Sequence, residues 1–148
     1  MTRRKEREFV LQVLYALELN PLPVQEAVNR LGAKYKKNAS EFALQLIEKT
    51  WLERNGLDEE IKGYLVNWDI ARVALIDRLL LRIAITEFMH FEDIPPEVTI
   101  NEMIELSKKY GTDNSKRFIN GLLDNVIKKR RKDIRARKKG RGLVSKIL

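Results

Sequence analysis

The stretch IARVALIDRLLLRIAITEFMHF (residues 70–91) decides the fold. With each residue turned by about 100° on a helix, Ile76, Leu79, Leu80, Leu81, Ile83, Ala84, Ile85 and Phe88 cover most of the circumference. Only Arg78, Arg82 and Thr86 make a polar strip. A helix that is apolar nearly all round is a central one, because every face needs a neighbour to keep it from water. Asp69 opens this helix, which is expected from Ile70 to Phe91. Glu87 falls in the middle of the apolar arc and must be hydrogen-bonded or paired if buried.

Outward from this helix, every long periodic segment also reads as helix. No stretch rich in Val, Ile or Thr alternates with period two, so no sheet is expected. The first helix runs from Arg4 to Leu19 and is stopped by Pro21 and Pro23. A short second covers Val24 to Leu31, with Gly32 as its C-terminal cap. A basic loop, AKYKKNA (33–39), follows; Ser40 then caps a helix to Arg54, closed by Asn55-Gly56. Asp58 caps the next, which reaches Asn67. The turn DIPPE (93–97) breaks the chain after the central helix, and Thr99 with Glu102 fits the capping-box pattern. That helix ends at Tyr110-Gly111. The last core helix runs from Asn114 to Ile127, with Ile119, Leu122, Leu123 and Val126 on one face. The expectation is an all-α domain of about seven helices over residues 1–129, followed by a flexible basic tail over 130–148.

Composition narrows the function. The 148 residues contain no cysteine and a single histidine, His90, which excludes disulfides, thiolate metal sites and multi-histidine sites. No apolar run approaches the ~20 residues that span a bilayer. The N-terminal arginines lead into an amphipathic helix and do not resemble a secretion signal, so the expected location is the cytoplasm. The net charge of +8 is unevenly spread. Residues 128–148 hold eleven Lys/Arg against one Asp, while residues 1–127 hold 18 bases against 20 acids. Any polyanion site on the folded part must therefore be a local patch. His90 offers no credible nucleophile–His–acid set, and no Gly-rich phosphate loop or dinucleotide fingerprint is present. Acid pairs such as Glu59-Glu60 read as solvated helix surface. The chain reads as a binding module that needs no cofactor.

Two helix starts carry the candidate chemistry. In the first helix, Val10, Val13, Leu14 and Leu17 form the core stripe, with Phe9 beside it. A second line runs through Arg4, Arg7, Leu11, Tyr15 and Glu18. Guanidinium groups bind phosphate, and a tyrosine can stack on a base or fill a partner's pocket. In YGTDNSKRFINGLLD (110–124), Asp113, Asn114 or Ser115 can cap the last helix. Lys116 and Arg117 then stand at the end where the helix dipole favours acids, which suggests that an anion arrives there. Phe118 lies about 100° from the centre of the apolar arc, either at the edge of the core or open for stacking.

Three segments carry a resemblance: RRKEREFVLQVLYALEL at the start, WDIARVALIDRLLLRIAITEF in the middle and IPPEVTINEMIELSKKYGTDNSKRFINGLLD near the end. In these, the chain resembles the NusB family of transcription antitermination factors. The resemblance implies two packed helical bundles and a role without catalysis. It implies pairing with the ribosomal protein NusE and binding of single-stranded boxA RNA in nascent, mainly ribosomal RNA, transcripts. The RNA polymerase antitermination complex assembled there passes terminators. Other members form homodimers that mask the RNA site. Carried over by position, Arg3, Arg4 and Arg7 would hold RNA phosphates, and Asn114, Lys116, Arg117 and Phe118 would complete the RNA site. Tyr15 and Asp77 would face the partner, with Glu18 and Arg82 in the same partner-facing set.

Three features depart from the family pattern. Glu6 puts an acid among the arginines, where it can pair with Arg3 or Arg7. Asn114 stands where an acid is frequent, which should favour RNA. The basic tail beyond Lys129 has little counterpart in shorter members, so its role rests on charge alone. Two rivals stand beside this reading: the RNA-binding domain of an RNA methyltransferase, and a non-catalytic structural interaction protein.

Overall fold

The computed structural model describes residues 2–66 and 69–147, with side chains through residue 133. Among the described residues seven α-helices follow in order: α1 (Arg3–Leu19), α2 (Val24–Tyr35), α3 (Glu41–Leu52), α4 (Arg54–Lys62), α5 (Leu75–His90), α6 (Pro96–Tyr110) and α7 (Ser115–Ile147). A single 3-10 turn, Ile70–Arg72, precedes α5. The described residues contain no strand, so the chain is all-α. Helices α1, α2 and α3 pack on one another; α5, α6 and α7 make the second group. Helix α5 touches members of both groups and α4 as well. That is the central place its all-round apolar surface requires: Leu79, Leu80, Leu81, Ile83, Ala84 and Ile85 are all buried.

Side-chain caps open two helices, and one of them is the expected Ser40. Thr2 Oγ1 accepts from the Lys5 N–H at 3.2 Å to open α1, and Ser40 Oγ accepts from Ala43 at 3.1 Å to open α3. Elsewhere tertiary contacts take over side chains that read locally as caps. Helix α4 starts at Arg54, so Asp58 lies inside it and accepts two bonds from Arg82 of α5, each 2.7 Å. The helix ends at Lys62, and the expected end at Asn67 lies outside the described residues. Helix α6 opens at Pro96, where the ring's fixed φ suits a first turn. The expected capping box is absent: Thr99 Oγ1 donates to Glu87 at 2.9 Å, and Glu102 binds Arg4.

Helix α2 runs a turn beyond Leu31. Gly32 is not its cap; its carbonyl accepts from the Lys37 N–H at 2.8 Å, and Lys36 takes the left-handed conformation at φ 54°. A Cβ on Gly32 would stand 2.7 Å from Lys37 O, so the glycine serves the returning chain's close approach. The stretch at 70–91 is not one helix. Val73 and Ala74 are extended, at ψ 128° and 140°, and separate the 3-10 turn from α5. The polar strip is internal: Arg82 is buried, and buried Thr86 donates its hydroxyl to Arg82 O at 2.8 Å. Helix α7 carries helical backbone into the basic tail. Its first arginines are tied down, Arg130 to Glu60 of α4 at 2.8 Å and Arg131 to Glu97 of α6. Leu148 and the side chains beyond Asp133 lie outside the described residues.

Candidate nucleic-acid and partner interface

Helix α6 is the spine between the two helix starts. Arg4 of α1 donates Nε and Nη2 to the two carboxylate oxygens of Glu102, each at 3.0 Å. One turn on, Glu8 Oε1 accepts from Lys109 Nζ at 2.6 Å and from the Tyr110 hydroxyl at 2.7 Å. Gln12 Nε2 then donates to the Tyr110 hydroxyl at 3.2 Å. The first turns of α1 thus lie along α6 in the same chain direction, and α6 delivers the chain to the start of α7. The turn between them requires Gly111. A Cβ there would stand 2.6 Å from Ser115 Oγ and 2.8 Å from Ser107 O.

The hydrogen bond from Lys108 holds the Glu105 carboxyl below its usual range, and the charges of Arg4 and Lys116 lower it further. One carboxylate on α6 therefore lies within the fields of a cation from α1 and a cation from α7. The hydrogen bond from Lys109 likewise holds Glu8 low against its burial, with help from Tyr110 and the charge of Lys5. Burial, and then the bond to Glu8, push the Tyr110 hydroxyl up.

The three expected arginines part company. Arg4 is exposed on this ledge. Arg3 is exposed too; its guanidinium lies 3.8 Å over the Phe42 ring, and its Nε is 3.8 Å from Glu6, the pairing that the acid at that position suggested. Arg7 is only 3% exposed. It binds both oxygens of Glu87, at 2.9 and 2.8 Å. Burial opposes its charge, but the bond and charge of Glu87 outweigh that and raise its pKa. Arg7 points into the junction of α1 with α5 and α6, so it does not present a guanidinium to solvent. The same pair and Thr99 satisfy Glu87, as its place in the apolar arc demands.

At the start of α7, Asn114, Lys116 and Arg117 are exposed and Phe118 is half-buried against the core edge. Ser115 turns its hydroxyl back to accept from the Thr112 N–H at 2.9 Å. The N–H groups of Lys116 and Arg117 have no acceptor among the described residues. Asn114, Arg117 and Phe118 line a cavity of about 460 Å³ together with Arg72, Val73, Ala74, Asp77 and Thr112. Lys116 does not line it and belongs to the α6 ledge.

The partner-facing set also divides. Tyr15 is 40% exposed and lines a cleft with Leu11, Gln12, Tyr35, Ile76 and Tyr110. Glu18 is half-buried, 3.1 Å from Arg82 and 3.8 Å from Arg78. Arg82 is 3% exposed and bound to Asp58, so it braces α5 against α4 and α1 and offers no surface to a partner. Asp77 falls in the α7 cavity beside the expected RNA residues. The sequence reading missed Lys5, Glu8, Phe42, Arg72, Glu102, Glu105, Lys109 and Tyr110. Only the two bases and aromatic of KKY, just before Gly111, carry a local signal. Among the described residues, no group of three or more His, Cys, Asp or Glu could hold a metal ion, and no helix is long and apolar enough to cross a membrane.

Comparison with known proteins bears on this arrangement. The model of the NusB family matches residues 4–128. The transcription antitermination protein NusB of Syntrophus aciditrophicus is 45% identical over 129 residues, covering 86% of this chain and 80% of that protein. The crystal structure of T. maritima NusB superposes with a TM-score of 0.76 at 32% identity, covering 86% of this chain and 92% of the other. The same fold, at 22% identity and a TM-score of 0.76, occurs in a structure of antitermination factors NusB and NusE in complex with double-stranded RNA, covering 86% of this chain and 98% of that one.

Proposed function

Because the chain belongs to the NusB family and is a non-catalytic transcription antitermination protein, we propose that it pairs with NusE and binds boxA RNA. The RNA is a nascent, chiefly ribosomal, transcript in the cytoplasm, and the assembly lets RNA polymerase pass terminators. Single-stranded RNA crosses the start of α1, the flank of α6 and the start of α7. Arg3, Arg4, Lys116 and Arg117 hold phosphates, and Arg7 acts beneath them by fixing the helix that carries Arg3 and Arg4. NusE covers the Tyr15 cleft and extends the RNA path.

The observation that supports this most is Glu105, which lies within the fields of both Arg4 and Lys116. The ledge also carries its own acids, since Arg4, Lys108 and Lys109 are paired with Glu102, Glu105 and Glu8. The Arg4–Glu102 and Lys108–Glu105 pairs are solvent-facing and contribute little to stability, so a phosphate can replace the carboxylate there. That competition keeps RNA binding by the chain alone weak and gives the partner its role in affinity.

Affinity for a boxA-like single-stranded RNA, compared with a scrambled RNA of equal composition, tests this with and without NusE. The expected result is a preference for boxA that strengthens when NusE is present. Equal binding of both RNAs in both states would overturn it.

A further inference from the structure

We propose that the end of α2 and the loop after it form a further RNA contact, in which Lys34, Lys36 and Lys37 hold phosphates of the strand beyond the ledge. This rests on the RNA-binding function above. Residues 1–127 hold more acids than bases, 20 against 18, and the ledge cations Arg4, Lys108 and Lys109 are each paired with a carboxylate. Lys34, Lys36 and Lys37, by contrast, form no ion pair among the described residues. Lys34 and Lys36 are exposed and Lys37 is half-buried. A phosphate arriving here displaces no acid, and it relieves the repulsion of three like charges within four residues. A place in the last turn of α2 accounts for Lys34 through the helix dipole. It does not account for Lys36 and Lys37, which lie beyond the helix. The fold holds these two in place. Lys36 takes the left-handed conformation at φ 54°, where glycine or asparagine is the easier fit, and the Lys37 N–H closes the turn on Gly32 O at 2.8 Å.

The surroundings fit a phosphate. Lys36 and Lys37 line a cavity of about 490 Å³ with Gln25, Asn29, Gly32 and Asn38, and no acid stands in its wall. The backbone N–H groups of Asn38 and Ala39, residues that also line it, have no acceptor among the described residues. Ammonium and amide N–H groups donate, and phosphate oxygens accept. Lysine suits such a contact because its point charge on a long stem needs no fork geometry. A carboxylate from a protein could meet the same donors, but continuity with the ledge favours RNA. Tyr35, the last residue of α2, lines one cleft with Tyr15 and Tyr110. Lys34 Nζ stands 5.4 Å from the centre of the Tyr35 ring. Tyr110 belongs to the ledge, since its hydroxyl and Lys109 Nζ share Glu8 Oε1. A single cleft thus joins the two basic surfaces, and a strand that NusE carries past it comes onto the lysines.

The test uses the full chain with NusE and a boxA-like RNA, either alone or extended by unrelated sequence at one end or the other. The native chain is expected to bind one of the extended RNAs severalfold more tightly at low salt. Its log–log salt slope should steepen by about 0.7 for each phosphate that the loop neutralises. The full-length triple variant Lys34→Gln, Lys36→Gln, Lys37→Gln should lose this gain, about 2.1 in slope if all three lysines engage. It should bind NusE and the unextended RNA as the native chain does. Equal affinity and slope for the two proteins with both extended RNAs would overturn this proposal alone. So would loss of NusE binding in the variant with the RNA slope intact, which would make the loop a protein contact. Amide resonances of residues 34–39 that shift as far with inorganic phosphate alone as with the extended RNA would assign the loop to free anions and overturn it too. A native chain that binds scrambled and boxA RNA equally, with and without NusE, would overturn the underlying function, while a slope lowered by the triple variant would still support the loop.

Discussion

Arg7 of α1 and Glu87 of α5 form a two-bonded ion pair, 2.9 and 2.8 Å, with Glu87 only 1% exposed. The pair locks the arginine-bearing helix start onto the central helix. Removing one partner of a buried pair leaves an uncompensated charge and costs ~3–5 kcal/mol. Glu87→Gln and Arg7→Ala should each lose about that much stability in urea denaturation. Arg7→Lys should not restore it, because a point charge cannot make the fork. At temperatures where Arg7→Ala remains folded, the salt dependence of RNA binding should match that of the native chain. A smaller slope would return Arg7 to the phosphate-binding set.

Glu102 competes with RNA for Arg4. Glu102→Gln keeps the shape and removes the charge. RNA affinity should rise by up to about fivefold at low salt, the worth of an exposed pair, and the gain should shrink as salt is added. Titration of labelled RNA by fluorescence anisotropy reads this; weaker binding would show that Glu102 orients Arg4 for RNA.

Asn114→Asp should move stability and RNA binding in opposite directions. A carboxylate just before α7 favours the helix dipole and can cap the open N–H groups, so thermal stability should hold or rise. The same charge repels a phosphate, so RNA affinity should fall severalfold at low salt. Equal affinities for the two proteins would remove Asn114 from the RNA path.

Acid should loosen the contact of α1 with α6 through Glu8. Its folded pKa is depressed, first by the bond from Lys109. The stability it contributes is therefore complete above the unfolded value of about 4.3 and is lost as pH falls through the lower folded value. Glu8→Gln should lower stability at neutral pH and flatten the decline below pH about 4.3. Denaturation midpoints across this range check it, and an unchanged acid slope would assign the decline to other carboxylates.

Much of the fold is legible in the sequence because it depends on local periodicity. The all-round apolar surface of residues 75–88 names the central helix, and the prolines and Ser40 mark real boundaries. What misleads is any local pattern whose side chains are needed elsewhere. Thr99 and Glu102 have capping-box spacing, but Pro96 already opens the helix and the two side chains turn to Glu87 and Arg4. Asp58 reads as a cap until Arg82 takes it. The candidate site is legible as a set of residue types but not as a geometry. That Glu87 needs a partner follows from its place on the helix; that Arg7 is the partner depends on packing between distant segments. Arg7 and Arg82 illustrate one ambiguity, since an arginine suits phosphate and buried carboxylate equally well.

The salt dependence of RNA binding, measured for Arg4→Ala, Lys116→Ala and the double variant with NusE present, tests the shared ledge most directly. If one RNA strand crosses both helix starts, each single change should reduce the log–log slope by about 0.7, and the double change by about 1.4. A slope that Lys116→Ala leaves at the native value, while Arg4→Ala lowers it, would place the two cations on separate surfaces and contradict a continuous RNA path.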